Sequence, residues 1–520
     1  VPRERVVIIG GGIGGLASAA LAAHAGADVT LCEAAPGPGG KLRALGVAGS
    51  TVDAGPTVFT LRAVFDALFE ACGATLDDHL TLHPATVLAR HAWGGDTLDL
   101  HADPEASADA IAAFAGAKAG AGYRAFRAEA ARIFDALDRT FLQAQPTNPL
   151  GLTWRILRER PRDAFALRPY TSLWRALGEH FADPRLRQLF ARYATYCGSS
   201  PFACPATLML VAHVEARGVW LIEGGMHRLA AAVAALAEAR GARLRYASAV
   251  DTIEIAHGRA GSVVLASGER IAADAVICNA DPAAIGAGRF GSAAVRAVRP
   301  VPPSRRSLSA MVWLAHAPAA GFALARHNVF FAPDYAAEFA ALGAGRLADA
   351  PSVYVCAQDR DDAGTGPAPG APERFQIIVN APPLGDRAAF TQQEIASCTQ
   401  AMQHRLAASG MTLTLSPDNH RLLTPQDFEA LCPSTGGALY GRASHGWAAS
   451  FLRQGSRTRI PGLYCAGGSC HPGAGLPMAV LSASLAVDSW RQDRASMSQS
   501  RRRAMPGGIS TRRATTAGTG

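Results

Sequence analysis

Apolar and polar positions follow two rhythms along this chain, and the first change of rhythm is the most informative. Arg5 to Ile9 reads R-V-V-I-I, a continuous apolar run that suits a parallel strand buried on both faces. Gly10-Gly11-Gly12-Ile13-Gly14-Gly15 follows at once. From about Ile13 to His24 the period becomes helical, with Leu16, Ala20 and Leu21 on the apolar side and Gly26 as the stop. A second strand, Asp28 to Cys32, ends at Glu33. Strand, glycine turn, helix, strand and terminal acid in this order form the β-α-β dinucleotide-binding pattern. Gly10 is expected to make the tight turn, Gly12 to let backbone approach a pyrophosphate, and Gly15 to let helix and strand pack closely. The pyrophosphate belongs at the helix N-terminus, where free N–H groups and the helix dipole favour an anion. Glu33 is expected to accept hydrogen bonds from the adenosine ribose.

Further along, helical patterns dominate from about Leu61 to Leu210, among them 62–72, 123–141 and 173–194, with breaks at Pro146, Pro161 and Pro201. Gly218 to Met226 opens a helix over 228–240. Strand patterns follow at 244–249, 251–255, 261–265, 271–272 and 275–278. Strands are also expected at 307–315, 352–357 and 375–380, and helices at 391–409 and 425–431. A short buried strand over 463–466 leads into Gly467-Gly468, a Gly/Pro loop and a helix over 477–491. That helix start aims free N–H groups at its surroundings, as the first helix does.

A second glycine loop, Gly37-Pro38-Gly39-Gly40-Lys41-Leu42, follows Glu33, and then Val52-Asp53-Ala54-Gly55-Pro56-Thr57. A nicotinamide dehydrogenase has no need of it. It resembles the loop of the flavin amine oxidase and carotenoid desaturase superfamily that wraps the FAD pyrophosphate and ribityl chain, so FAD is the cofactor this resemblance implies. Lys41 either offsets phosphate or flavin charge there or is an exposed surface lysine. Asp53 reads as a residue that holds the loop. By analogy with related flavoproteins Val250 lies near the adenine; the alternative is an ordinary core valine.

The stretch from Ile460 to Ala479 contains Ala466-Gly467-Gly468-Ser469-Cys470-His471-Pro472-Gly473-Ala474-Gly475-Leu476-Pro477-Met478. It resembles the G-x-x-x-H-P-G-x-G-x-P motif of the bacterial-type carotenoid (phytoene) desaturase family, a likeness that runs from about residue 5 to residue 490. Ala466 to Ser469 with Pro477-Met478 is similar to the branch acting on 1-hydroxylated acyclic carotenoids, the hydroxyneurosporene and methoxyneurosporene dehydrogenases. Arg326 to Phe331 and Gly436 to Gly441 resemble that branch too.

The resemblance implies an FAD-dependent enzyme that introduces a C-3,4 double bond into a long acyclic carotenoid, in spheroidene or spirilloxanthin synthesis. It implies peripheral attachment to the inner or photosynthetic membrane from the cytoplasmic side, with a quinone or oxygen as candidate electron acceptor. Its fold is α/β: a Rossmann-type FAD-binding domain interleaved with a substrate-binding α+β domain. Residues 1–75, 218–290 and 455–495 are assigned to the first. Residues 76–217 and 291–454 are assigned to the second, which also contacts the membrane.

Composition refines this picture at a few points. Net charge is +8, but the basic residues gather in 496–520, where five arginines stand among Ser, Thr and Gly. That segment is expected to be a disordered tail that either meets anionic lipid head groups or binds nothing. No aromatic residue interleaves with its arginines, so nucleic acid is not an expected partner. Ten cysteines in 520 residues form no C-x-x-C pair and no zinc spacing. Cys32, Cys278 and Cys356 read as small core residues in a reduced, cytosolic chain, and no metal is expected. No apolar run reaches the roughly 18 residues of a spanning helix, and no signal peptide is expected because a strand begins almost at once.

Desaturation needs an oriented apolar chain more than a strong base. His471 is either a base beside the flavin or the residue that fixes its own loop by hydrogen bonding. Tyr440 either orients a substrate hydroxyl or packs. Glu215 and Arg217 are candidates for polar pocket groups, with a solvated helix face as the default. Competing functions are a phytoene desaturase acting on an unhydroxylated chain, an amine oxidase, whose aromatic cage is lacking, and a prenyl-lipid carrier without redox chemistry.

Overall fold

The opening run Val6-Val7-Ile8-Ile9 has no face left for water, since each residue is almost fully buried. It forms the middle of a five-stranded parallel sheet ordered Arg243–Arg245, Asp28–Cys32, Arg5–Ile9, Ala275–Cys278 and Leu463–Cys465. Ile9 stands level with Cys32 on one side and Cys278 on the other. Because side chains alternate across a strand, Val6 and Ile8 pack under the helices Ile13–His24, His227–Ala239 and Leu476–Arg503. Val7 and Ile9 face Ile253 and Val263 of an antiparallel three-stranded sheet made by Val250–Ala256, Arg259–Leu265 and Arg270–Ala272. A computed structural model describes residues 3–503 apart from 164–166, 362–364, 369 and 388.

A second, eight-stranded sheet is built around Ser309–Ala320, which pairs with Pro372–Ala381 and His420–Leu423. Met311, Trp313 and Ala315 point to one face and pack with Cys398, Met402 and Leu406 of the helix Gln392–Ala407. Ala310, Val312 and Leu314 point to the other, against Val47 and Val52. A cap of helices, including Ala117–Leu137, Pro149–Glu159, Leu173–His180 and Pro184–Ala191, sits beside this sheet around its own core.

The structure departs from the sequence pattern in four places. The stretch expected to be helical contains a hairpin, Val87–Trp93 and Asp96–His101, which joins the eight-stranded sheet by parallel pairing of Arg90 with Asn328. A bulge between Val87 and Ala89 breaks the alternation that would have revealed it, although Gly94-Gly95 at its tip is a hairpin signal. The helix expected over 173–194 stops at His180 and restarts at Pro184, because proline offers no N–H and Asp183 caps the new start by accepting from the Arg185 N–H. Val219–Ile222 is a strand, paired with Phe59–Thr60 and Leu82–Pro84. The terminal helix runs on to Arg503, since no Gly or Pro interrupts it before Pro506, so the first part of the segment expected to be disordered from 496 is helical. Residues 504–520 lie outside the described residues.

Among the described residues no helix is long and apolar enough to cross a membrane, and no His, Cys, Asp and Glu cluster suits a metal. All ten cysteines are free. Trp313 is wholly buried and its Nε1–H has no partner, so it contributes through packing alone. Trp313→Ala is expected to lower unfolding free energy by about 3–5 kcal/mol, measured by urea denaturation.

Candidate functional site

The carboxyl ends of the parallel strands converge on one edge, where ligands bind in open α/β sheets. Gly10 to Gly12 leave the first strand, Glu33 ends the second, Asn279 follows the fourth, and Ala466 to Gly468 follow the fifth. Gly15 is pressed so close to the turn that a Cβ there would lie 2.0 Å from the Gly10 carbonyl oxygen. Gly467 has φ +116°, and a Cβ there would meet the Asn279 amide oxygen at 2.6 Å. The second glycine loop closes on the first: the Gly39 N–H donates to the Gly11 carbonyl at 2.8 Å, and Gly12 bridges to Gly39. The Glu33 carboxylate accepts from the N–H groups of Gly11 and Ala35.

Asp53 is buried behind this edge. One carboxylate oxygen accepts from the Met226 N–H at 2.7 Å, the other from the His227 N–H at 3.1 Å and from its Nδ1 at 2.7 Å. Burial opposes its charge, yet the hydrogen bonds from His227 and Met226 prevail and hold its pKa below the usual carboxylate range. Lys41 is half-buried and donates its Nζ to the Leu439 carbonyl at 2.5 Å, next to Tyr440.

In the terminal loop His471 is buried, its Nε2 lying 3.0 Å from the Phe141 carbonyl and 2.9 Å from that of Ala144. A ring nitrogen between two carbonyls is a donor, which fixes the tautomer. Burial pushes the His471 pKa down. The imidazole therefore joins this loop to the end of the helical cap. Tyr440 is held through its backbone, its N–H donating to Ser307 Oγ and its carbonyl accepting from Arg453. Burial pushes its hydroxyl up to about 12.

One cavity of about 850 Å³ joins these parts. Gly10, Gly12, Glu33, Gly40, Lys41 and Val250 line its nucleotide end, and Gly468, Pro477, Met478 and Tyr440 its middle. Gly15 and Gly467 stand behind the lining, and His471 is also outside it. The far lobe is walled by apolar residues such as Phe141, Leu152, Leu208, Val211 and Phe331. One polar cluster interrupts that wall. Glu215 accepts from Tyr193 and Tyr196 and pairs with Arg192 at 3.4 Å, while Arg192 also donates to Tyr196. Burial works against the Arg192 charge, but Tyr196 and Glu215 outweigh it and hold its pKa above the arginine value.

Residues 13–489 match the family described as flavin containing amine oxidoreductase. The chain belongs to that family. Its curated relatives include a hydroxyneurosporene desaturase of Rubrivivax gelatinosus, 51% identical, covering 99% of this chain and 98% of that protein. Another hydroxyneurosporene desaturase, of Cereibacter sphaeroides, is 47% identical over 95% of this chain and 99% of its own. Among solved structures, an oxidoreductase from Methanosarcina mazei shares the fold with a TM-score of 0.57 at 16% identity, covering 94% of this chain and 100% of its own.

This flavin-containing oxidoreductase uses FAD, and its residues fit the group. The helix Ile13–His24 opens at Gly12 with no side-chain cap, leaving its first N–H groups free for a pyrophosphate. Glu33 lines the cavity at the strand end, as ribose recognition requires, and glycines at 10, 12, 40 and 468 keep the cradle clear of side chains. The terminal helix starts at Leu476 with Pro477 and Met478 on the cavity.

Sequence reasoning passed over Arg192, Tyr196 and Asn279, and offered Glu215 as a candidate pocket group with a solvated face as the default; Glu215 is buried and lines the cavity. A helical reading contained the signal: Leu208, Val211, Ala212 and Glu215 recur at spacings of three and four, which puts the acid on the buried side. Arg217 does stand exposed, over the Phe134 ring.

Gly15→Ala is expected to yield protein whose flavin absorbance per mole falls to a small fraction, because neither carbonyl nor helix can move aside. Asp53→Asn is expected to cost about 1.5–3 kcal/mol at pH 7, the scale of a hydrogen bond to a charged group. A carboxylate with a lowered folded pKa stabilises above its unfolded value of about 3.9 and ceases to as pH falls through the folded value. Denaturation midpoints of the two proteins should therefore stay apart near neutrality and converge in acid.

Proposed function

We propose that this oxidoreductase introduces the C-3,4 double bond into acyclic 1-hydroxy or 1-methoxy carotenoids such as hydroxyneurosporene. The observation that carries the reading is the continuity of the cavity, which passes from the glycine cradle into a long apolar lobe. The relatives named hydroxyneurosporene desaturase support it over nearly the whole chain. FAD bound in the cradle would take up the hydrogen removed from the allylic carbon. That hydrogen leaves with its electron pair, so positive charge spreads along the polyene and acidifies the neighbouring carbon; its C–H pair closes the double bond as the proton passes to a weak acceptor, and the site needs no strong base.

What the protein adds is orientation and exclusion of water. Leu152, Val211 and Phe331 give the polyene apolar contact along the cavity wall. Asp53 fixes the start of the helix His227–Ala239, Lys41 ties the second glycine loop to the Leu439 carbonyl, and His471 locks the terminal loop to the helical cap. His471 is thus assigned to holding the site, with its ring nitrogen committed to carbonyls. Residues 1–75, 218–290 and 455–495 serve the cofactor, and 76–217 with 291–454 serve the substrate.

The substrate is a lipid, and it enters from a membrane surface. The helix Pro149–Glu159 leaves Leu150 82%, Trp154 61% and Leu157 49% exposed, while its Leu152 lines the cavity. Tyr170 and Trp447 stand 5.8 Å apart and exposed, and Trp447 also lines the cavity. Exposed apolar groups beside Arg158 and Arg162 suit the interface of an anionic bilayer. The protein is placed at the cytoplasmic face of the inner or photosynthetic membrane, where a quinone or dioxygen reoxidises the flavin.

Anaerobic mixing of the holoenzyme with 1-hydroxyneurosporene is expected to bleach the flavin as the carotenoid absorption moves to the red. Bleaching with phytoene and not with this substrate would favour the unhydroxylated reading, and no bleaching with either would favour a lipid carrier. Replacing Leu150 and Trp154 by Ser is expected to lower sedimentation with anionic vesicles while flavin content stays unchanged.

A further inference from the structure

The lobe around Arg192 holds the most conspicuous chemistry that desaturation itself does not use. Arg192 and Glu215 are buried, at 5% and 3% exposure, and both line the cavity together with Tyr196. Around them the lining mixes Leu, Val and Phe with neutral polar residues such as Thr195, Tyr335 and Tyr354, and carries no second ion pair of this kind among the described residues. A buried ion pair is weak support for stability, since apolar residues of similar volume commonly do as well. Its presence in this wall therefore points to a ligand group that needs it.

The hydrogen-bonding capacity of the cluster is not used up. A guanidinium has five N–H bonds; Arg192 spends one on Tyr196 and one on Glu215, and its buried Nε has no partner. On Glu215 one oxygen accepts from Tyr193 alone, so a lone pair remains there. Each terminal nitrogen of Arg192 also keeps one N–H, so spare donor and spare acceptor capacity both belong to residues of the cavity wall, the combination that an alcohol, which both donates and accepts, would satisfy.

The cavity that the cluster lines is tied to the flavin loops through Tyr354, which lines it too. Tyr354, which lies within electrostatic reach of Arg192 and Tyr196, donates its hydroxyl to Thr57 Oγ1 at 2.8 Å, and Thr57 belongs to the loop that follows Asp53. In the proposed substrate the C-1 hydroxyl is only a few bonds from the reacting C-3 and C-4, so its receptor must sit next to the flavin loops and not at the far end of the lobe.

We infer that Arg192, Tyr196 and Glu215 are the receptor for the C-1 hydroxyl of the substrate and so select hydroxylated over plain polyene ends. This rests on the desaturase reading and names the residues behind its substrate preference. A plain hydrocarbon end leaves the charged pair unanswered, the arrangement by which a site built for a hydroxyl rejects its analogue. A methyl ether accepts from Arg192 but gives nothing to Glu215, and ranks between the two.

The test uses FAD-loaded wild type, Glu215→Gln, Tyr196→Phe and, as control, Tyr193→Phe, which removes a Glu215 partner that does not line the cavity. Flavin content and melting temperature report folding. Binding of 1-hydroxyneurosporene, its methyl ether and neurosporene is titrated through the flavin spectrum, and kcat/KM is measured for each. Glu215→Gln and Tyr196→Phe are expected to weaken the hydroxylated carotenoid by about 10- to 100-fold, the scale of a hydrogen bond to a charged group. Neurosporene should change by less than about twofold, and Tyr193→Phe should leave the ratio of the two as in wild type. Equal losses for both carotenoids, or none, would overturn the inference. Failure of wild type to bleach with any of them would sink the desaturase reading instead, while the binding ratios would still decide the role of the cluster.

Discussion

Everything in this molecule depends on three glycine-bearing loops coming within van der Waals distance of one another at the edge of the parallel sheet. The loop after the first strand, the loop after Glu33 and the loop after the fifth strand meet through Gly12, Gly39 and Gly467. A side chain at Gly14 would collide with Gly467, and one at Gly15 with Gly10. Only when that contact is made do a free helix N-terminus, the Glu33 carboxylate and a second helix start surround the same space.

That cradle is not independent of the lobe beside it. The Asp53 N–H donates to the Gln358 side chain and the Asp53 carbonyl accepts from it, each at 2.9 Å, which attaches the strand Ser50–Asp53 to the end of Val353–Ala357 in the eight-stranded sheet. Tyr354 reaches Thr57 from the same sheet, and His471 reaches the end of the helical cap. Cofactor loops and substrate walls are therefore fixed against each other by buried polar bonds, whose loss inside a protein costs more than at its surface.

The nucleotide half was legible because each of its features is local: an apolar run, a glycine spacing, an acid at a strand end. Sequence alone suggested that Asp53 holds the glycine loop, whereas its carboxylate holds the start of the helix His227–Ala239, a partner too distant along the chain to be read locally. The hairpin of residues 87–101 was hidden because a bulge spoils its alternation and its partner, His327–Phe330, lies far along the chain. The Arg192 cluster was hidden for a different reason. Charged residues are placed on the outside by base rate, and only the fold reveals that Arg192, Tyr196 and Glu215 face one another. Boundaries set by capping, such as the Asp183–Pro184 restart, were readable in principle, whereas the extension of the terminal helix depended on the mere absence of a breaker.

The ten unpaired thiols acquire a meaning once a flavin is placed among them. Burial pushes Cys32 and Cys72 up to about 11, and Cys278 and Cys398 up to about 12. Peroxide attacks the thiolate and spares the protonated form, and reduced flavin that meets dioxygen generates peroxide on the spot. Cys32, Cys72, Cys278 and Cys398 are accordingly held in the form that peroxide spares. Of these four, Cys32 lines the cavity itself, so the thiol beside the glycine cradle is among those kept protonated.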